Sequence, residues 1–243
     1  MIKDLGIKKL IIDKPLKLDC GQTINNYSLA YETYGSLNEK KDNAILVFHA
    51  LTGDQFVTGI NPITKKEGWW SYAVGPGKAI NTDQFFVICA NVIGGCMGSI
   101  GPNEINYETN KKYGTSFPVI TINDMVNAQF NLLNFFNIEK LFAVMGGSMG
   151  GMQVLQFVSN FPDKAKIAIP IACTSNHSAQ NIALNELGRQ SIMADADWVA
   201  GDYSNRNKNP DKGLSVARMA AHITYLSKNG LQEKFGRKLQ ERD

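Results

Sequence analysis

Gly146-Gly147-Ser148-Met149-Gly150 is a Gly-x-Ser-x-Gly pentapeptide in a setting that suits a nucleophile. The apolar run Leu141-Phe-Ala-Val-Met145 leads into it, and a helix-like run from Met149 to Phe161 leads out. Strand, sharp turn and helix together make a nucleophile elbow, in which a strained turn lifts the serine above a sheet. The flanking Gly146 and Gly150 omit a Cβ where chain segments must approach closely. The N-terminus of the following helix would lie beneath the Ser148 hydroxyl and favour developing negative charge. A bare pentapeptide also suits an inert Gly/Ser turn; the strand before it and the helix after it argue for the elbow.

A serine hydroxyl needs a base to take its proton. In this kind of sheet the partners follow in the order Ser, Asp or Glu, then His. The chain has three histidines. His49 precedes Ser148 at the end of an apolar run. His177 comes just after the run that follows the elbow, early for the usual order. His222 lies in a later helix-like segment and reads as a packing or hydrogen-bonding residue; as the base it would break that order. None stands in the late loop where the base normally sits.

His49-Ala50-Leu51-Thr52-Gly53-Asp54 follows Ala44–Phe48, where such a sheet supplies its second oxyanion amide. The candidates are the Leu51 N–H and the Met149 N–H, although an ordinary strand-to-loop turn would look the same. Gly94-Gly-Cys-Met-Gly98 has neither the Lys-Ser/Thr of a P-loop nor Gly-x-Gly-x-x-Gly spacing, and reads as a tight loop shaping a pocket. Cys96 has no evident base or positive neighbour, which disfavours it as a nucleophile. Arg218 sits in the largely apolar segment Ala217–Tyr225 and needs a partner. A substrate carboxylate held bidentately is one; Glu186 is the structural alternative, favoured slightly on the residues alone.

These groups need a sheet to hold them. Ser28–Tyr34 alternates like a half-buried strand near a sheet edge. Ala44–Phe48 and Phe85–Ala90 are continuously apolar, as strands buried on both faces are. Asn123–Phe136 has helical spacing, Leu141–Met145 is the strand before the elbow, and Ala165–Ala172 is the strand after the next helix. Strands alternating with helices predict an α/β, doubly wound, mostly parallel sheet. After Thr174 the texture changes. Ala179–Ala194 and Gly213–Ser227 read as helices around a polar loop, Gly201–Lys212, and no further strand is evident before Asp243. The expected division is a core over 1–174 and an incomplete helical lid over 175–243. The strand over Lys166–Ala172 would then be an apolar edge blunted only by Lys166 and Pro170, so the C-terminal part of the core is expected to be missing.

The 243 residues are 44 % hydrophobic and 19 % charged, enough for a buried core. The net charge of +3 and scattered Lys and Arg give no footprint for nucleic acid or an anionic membrane. Met1–Lys9 has no signal-type apolar core, and no run reaches transmembrane length. Cys20, Cys89, Cys96 and Cys173 form no Cys-x-x-Cys pair; buried free thiols in a reducing cytoplasm are the simplest expectation. No metal site is evident.

Seven blocks in order resemble the homoserine O-acetyltransferase family: Ala30–Gly35, His49–Asp54, Gly75–Lys78, Asn91–Cys96, Phe117–Ile122, Gly146–Gln153 and Arg218–Tyr225. The likeness runs from the N-terminal strands to Gln240. It implies an α/β-hydrolase core with an inserted helical lid and a homodimer joined through lids. It also implies ping-pong acetyl transfer from acetyl-CoA, a co-substrate rather than a bound cofactor, to L-homoserine in methionine biosynthesis. Ser148 matches the family nucleophile and Arg218 the arginine that contacts homoserine. The family's catalytic Asp and His lie further C-terminal than Asp243. Rival readings are succinyl-CoA as donor or L-serine as acceptor on the same scaffold, a serine esterase, and, were Asp243 the true terminus, a non-catalytic binding module.

Overall fold

The computed structural model describes residues 6–106 and 109–236. The leader reading over residues 1–5, and the chain end over 237–243 assigned to the lid, lie outside the described residues. Six strands build the central sheet: β1 (Lys8–Ile12), β2 (Tyr27–Tyr34), β3 (Ala44–Phe48), β4 (Phe86–Ala90), β5 (Leu141–Gly147) and β6 (Ala165–Ile171). Their spatial order is β1-β2-β4-β3-β5-β6. β1 and β2 pair antiparallel, β2 meets β4 antiparallel, and β4, β3, β5 and β6 run parallel. This is the expected mostly parallel α/β sheet.

The continuous apolar runs are explained by burial on both faces. Leu46 and Phe48 of β3 and Ile88 of β4 enter one core with Leu132, Leu133, Val154 and Phe157 of the helices α1 (Ile122–Phe136) and α2 (Met149–Asn160). Ile45, Val47, Val87 and Cys89 point the other way, into a second core closed by Val57, Val74 and Trp70 from the long β3–β4 excursion. A strand with helices on one face and a folded loop on the other keeps no polar stripe. α1 starts on a capping box: Thr121 Oγ1 accepts the Asp124 N–H, and Asp124 accepts the Thr121 N–H. Asn137 in the left-handed region, φ 53°, closes it.

Beyond β6 come α3 (Ala179–Met193), a 3₁₀ segment over Ala196–Gly201, α4 (Asp211–Tyr225) and α5 (Lys228–Phe235). α3 and α4 approach closely because Gly213 lacks a side chain: a Cβ there would lie 2.3 Å from the Ser191 carbonyl oxygen. Asp195 accepts the Gly213 N–H at 2.7 Å and caps α4. α4 starts at Asp211, two residues before the sequence reading. β1 and α5 are additions to it. β1 is short and lysine-led. α5 has little apolar periodicity, and its one signal is Ser227, whose side chain accepts the Gly230 N–H.

β6 stands at the sheet edge, as expected, with Ile167, Ile169 and Ile171 at 44 %, 37 % and 38 % exposure. The cysteine expectation needs correction. All four are free, but only Cys89 is buried; Cys20 and Cys96 are exposed in turns and Cys173 is half-buried. A cysteine in a loop has no strand neighbours to cover it, whatever the apolar content nearby.

Candidate active site

Ser148 is the N-cap residue of α2, with φ 56° and ψ −121°. A non-glycine residue in that conformation is strained, and such strain is characteristic of functional turns. The strain is held from both sides. The Ser148 N–H donates to the Ile171 carbonyl of β6 at 3.0 Å, and the Ser148 carbonyl accepts the Met152 N–H at 3.1 Å. The glycines do separate jobs. A Cβ at Gly146 would lie 2.7 Å from the Phe48 carbonyl oxygen, and one at Gly150 only 2.1 Å from the same atom. A Cβ at Gly151 would strike Cys173 Sγ at 2.7 Å, whereas at Gly147 it would meet nothing within 4 Å. The bare backbone of the first turn of α2 thus lets the end of β3 pass directly against the elbow. We expect Gly150→Ala to cost about 1–3 kcal/mol or more, because the clash is with backbone that cannot swing away. Gly147→Ala should stay within about 0.5 kcal/mol. Thermal melting of the two variants checks this, and equal melting points would contradict it.

Ser148 is exposed and opens onto a cavity of about 280 Å³ lined with Met152, Ala172, Cys173, Thr174, His177 and Asn181. Most of these follow the C-terminal end of β6, beside β5. Ligands of open parallel sheets sit outside the carboxyl ends of the strands, so position after β6 was the signal that could have found them. The structure brings His177 to Ser148's cavity and leaves His222 outside it, exposed on α4. His177 Nδ1 lies 3.4 Å from Asn185 Nδ2; no carboxylate orients its ring among the described residues.

His49 is a latch. It is 1 % exposed, and burial pushes its pKa below the ordinary histidine value, so it is neutral. Nδ1–H donates to the Ala50 carbonyl at 2.7 Å, and Nε2 accepts the Val92 N–H at 3.0 Å. The partners require that tautomer, since a carbonyl needs a donor and an N–H needs an acceptor. The Gly53 N–H also donates to the Ala50 carbonyl, at 2.9 Å. In a trans peptide the N–H points opposite to its carbonyl, so the Leu51 N–H is turned away from the imidazole. The Leu51 side chain is exposed. Leu51 and Met149 are not in the lining of the cavity, which their side chains do not reach.

The glycine-rich loop over Gly94–Gly98 is tight, as expected. It does not line the Ser148 cavity; it braces the β3 loop through Gln55, whose Nε2 donates to the Met97 carbonyl at 2.9 Å. Cys96 is exposed and outside the cavity. Arg218 is exposed on α4, also outside the cavity lining. Its anticipated structural partner, Glu186, pairs with Arg189 instead, and among the described residues no carboxylate pairs with Arg218. Among them, too, no group of three or more His, Cys, Asp or Glu side chains gathers as a metal site, and no helix is long and apolar enough to cross a membrane.

A family model described as the alpha/beta hydrolase fold matches residues 43–243. The chain belongs to the α/β hydrolase family. This α/β hydrolase is 88 % identical over 240 residues to a homoserine O-acetyltransferase of Pelagibacter ubique, covering 99 % of the chain and 64 % of that relative. It superposes on the crystal structure of homoserine O-acetyltransferase from Bacillus anthracis with TM-score 0.88 at 29 % identity, over 96 % of this chain and 64 % of that one. It superposes on esterase E22 with TM-score 0.82 at 33 % identity, over 97 % of this chain and 67 % of that one. The α/β hydrolase chain therefore spans just under two thirds of the length of the Pelagibacter ubique relative.

Proposed function

We propose that the full-length protein is a homoserine O-acetyltransferase that works through an acyl-enzyme on Ser148. The strained elbow carries the reading: Ser148 is exposed, sits over the first turn of α2 and faces a cavity. The 88 % identity to a relative of that name supports it. In the first half-reaction Ser148 Oγ attacks the thioester carbonyl of acetyl-CoA and loses its proton to a histidine. The tetrahedral oxyanion meets the Leu51 and Met149 amides, and coenzyme A leaves as the thiol. In the second half-reaction the γ-hydroxyl of L-homoserine attacks the acetyl-serine and passes its proton to the same base; the Ser148 ester bond then breaks, Ser148 Oγ takes the proton back, and O-acetylhomoserine leaves. This reading puts the base and its carboxylate partner C-terminal to residue 243. It takes 1–174 as the core and 175–243 as part of a lid that excludes water and joins two copies, in a cytoplasmic enzyme of methionine biosynthesis.

Arg218 binds the carboxylate of the acceptor in this reading, and its lack of a described ionic partner is the support. Arg218→Ala is expected to lower acceptor-dependent kcat/KM by about 2–5 kcal/mol while sparing acyl-enzyme formation from acetyl-CoA. Equal damage to both half-reactions would assign Arg218 a structural role.

The likeness to esterase E22 favours one second reading, hydrolysis of an acyl ester with water as acceptor. Turnover of acetyl-CoA by the full-length protein with L-homoserine, L-serine or water alone, and of succinyl-CoA beside it, separates the cases. O-acetylhomoserine as the dominant product is expected. Free acetate at an equal rate with and without an amino acid would favour the esterase.

A further inference from the structure

Two buried amides behind the elbow have no part in the reaction as written. Gln153 of α2 and Gln129 of α1 are 0 % and 1 % exposed. Gln129 Nε2 donates to Gln153 Oε1 at 2.7 Å, and Gln153 Nε2 donates to the His49 carbonyl at 3.3 Å. Each NH₂ also reaches a carbonyl one turn back on its own helix, Met125 at 3.3 Å and Met149 at 3.4 Å. Backbone carbonyls accept only donors, so this relay has one orientation of both amides. That orientation leaves Gln129 Oε1 buried without a partner among the described residues. An orphaned buried carbonyl destabilises, and two apolar side chains of similar size would fill the space without it. The relay is a poor device for stability, but it does hold the His49 carbonyl.

That carbonyl opens the turn carrying Leu51. The next peptide is already gripped at the Ala50 carbonyl by the His49 ring and the Gly53 N–H. We propose that Gln153 is a positioning residue for acyl transfer: by holding the His49 carbonyl it fixes the His49–Ala50 peptide and, through it, the orientation of the next peptide, whose Leu51 N–H meets the oxyanion. Gln153 lies one helical turn beyond Met149, so the first turns of α2 offer one oxyanion amide and set the loop that offers the other. The proposal rests on the acyl-transfer reading.

The test uses the full-length protein and three variants. Gln153→Met removes both bonds of the amide. Gln153→Leu removes them too, with a branched side chain in place of a flexible one. Gln129→Met leaves the Gln153 bond to His49 in place. The measurements are the burst of Ser148 acylation by p-nitrophenyl acetate, kcat and KM for L-homoserine, and thermal melting. Both Gln153 variants are expected to acylate about 10–100-fold more slowly, with KM for L-homoserine within about twofold of wild type, because a displaced donor weakens the transition state and not acceptor binding. Gln129→Met should lose less. Folded Gln153 variants that melt earlier yet acylate at the wild-type rate would overturn the proposal and leave the acyl-transfer reading standing. A wild-type enzyme that never acylates Ser148 would remove both.

Discussion

Ser148→Ala in the full-length protein is expected to reduce acetyl transfer to L-homoserine by about four to six orders of magnitude. Alanine removes the only atom that can carry the acetyl group in this mechanism. The proposed oxyanion amides and the pocket remain, so a residual rate above the uncatalysed reaction should survive. The fold should survive too. Ser148 is exposed at the elbow, its described hydrogen bonds there come from the backbone, and the φ of 56° is imposed by its neighbours. The measurement is transfer from labelled acetyl-CoA, together with trapping of labelled protein under quench. The label should map to Ser148 in wild type and vanish in the variant. Label on Cys173, the thiol that shares the cavity, or a variant retaining a tenth of the rate, would reject Ser148 as the acyl carrier.

Residues 1–243 expressed alone are expected to transfer acetyl about 10²–10⁴-fold more slowly than a chain of the relatives' length, the usual worth of a general base. His177 is the one described histidine in the cavity and no described carboxylate orients it. The same chain should associate. Ile167, Ile169 and Ile171 stand open along the β6 edge, and Leu214, Val216, Met219 and Ile223 are exposed on α4. An apolar unpaired edge and an exposed apolar helix face are each templates for association. Size-exclusion chromatography and an O-acetylhomoserine assay on both lengths provide the check. A monodisperse 243-residue monomer with enzyme-like turnover would reject the longer-chain reading. His177→Ala would then be the first test for the base, ahead of His222→Ala, since His177 lines the cavity and His222 does not.

Much of this molecule is legible before any coordinates. The runs Ala44–Phe48 and Phe85–Ala90 can be buried on both faces only in a covered sheet, so their apolar continuity determines the parallel core. The elbow is legible for a related reason: a Ser between Gly146 and Gly150, with a strand before and a helix after, leaves few other ways to fold. The local sequence also determines the start of α1, since Thr121 and Asp124 are three residues apart.

What the sequence left open depends on contacts between distant segments. Gly146 and Gly150 must be bare because Phe48, about a hundred residues earlier, passes against them. The neutrality and tautomer of His49 follow from burial and from the Val92 N–H on another loop. His177 enters the cavity, and His222 stays out, because β6 lies beside β5 while α4 packs on α3. Gln153 reads in sequence as an ordinary polar residue on a helix. Only the packing of α1, α2 and the β3 loop around it turns its amide onto the His49 carbonyl, since a side chain's hydrogen-bond partner is set by what the fold buries next to it.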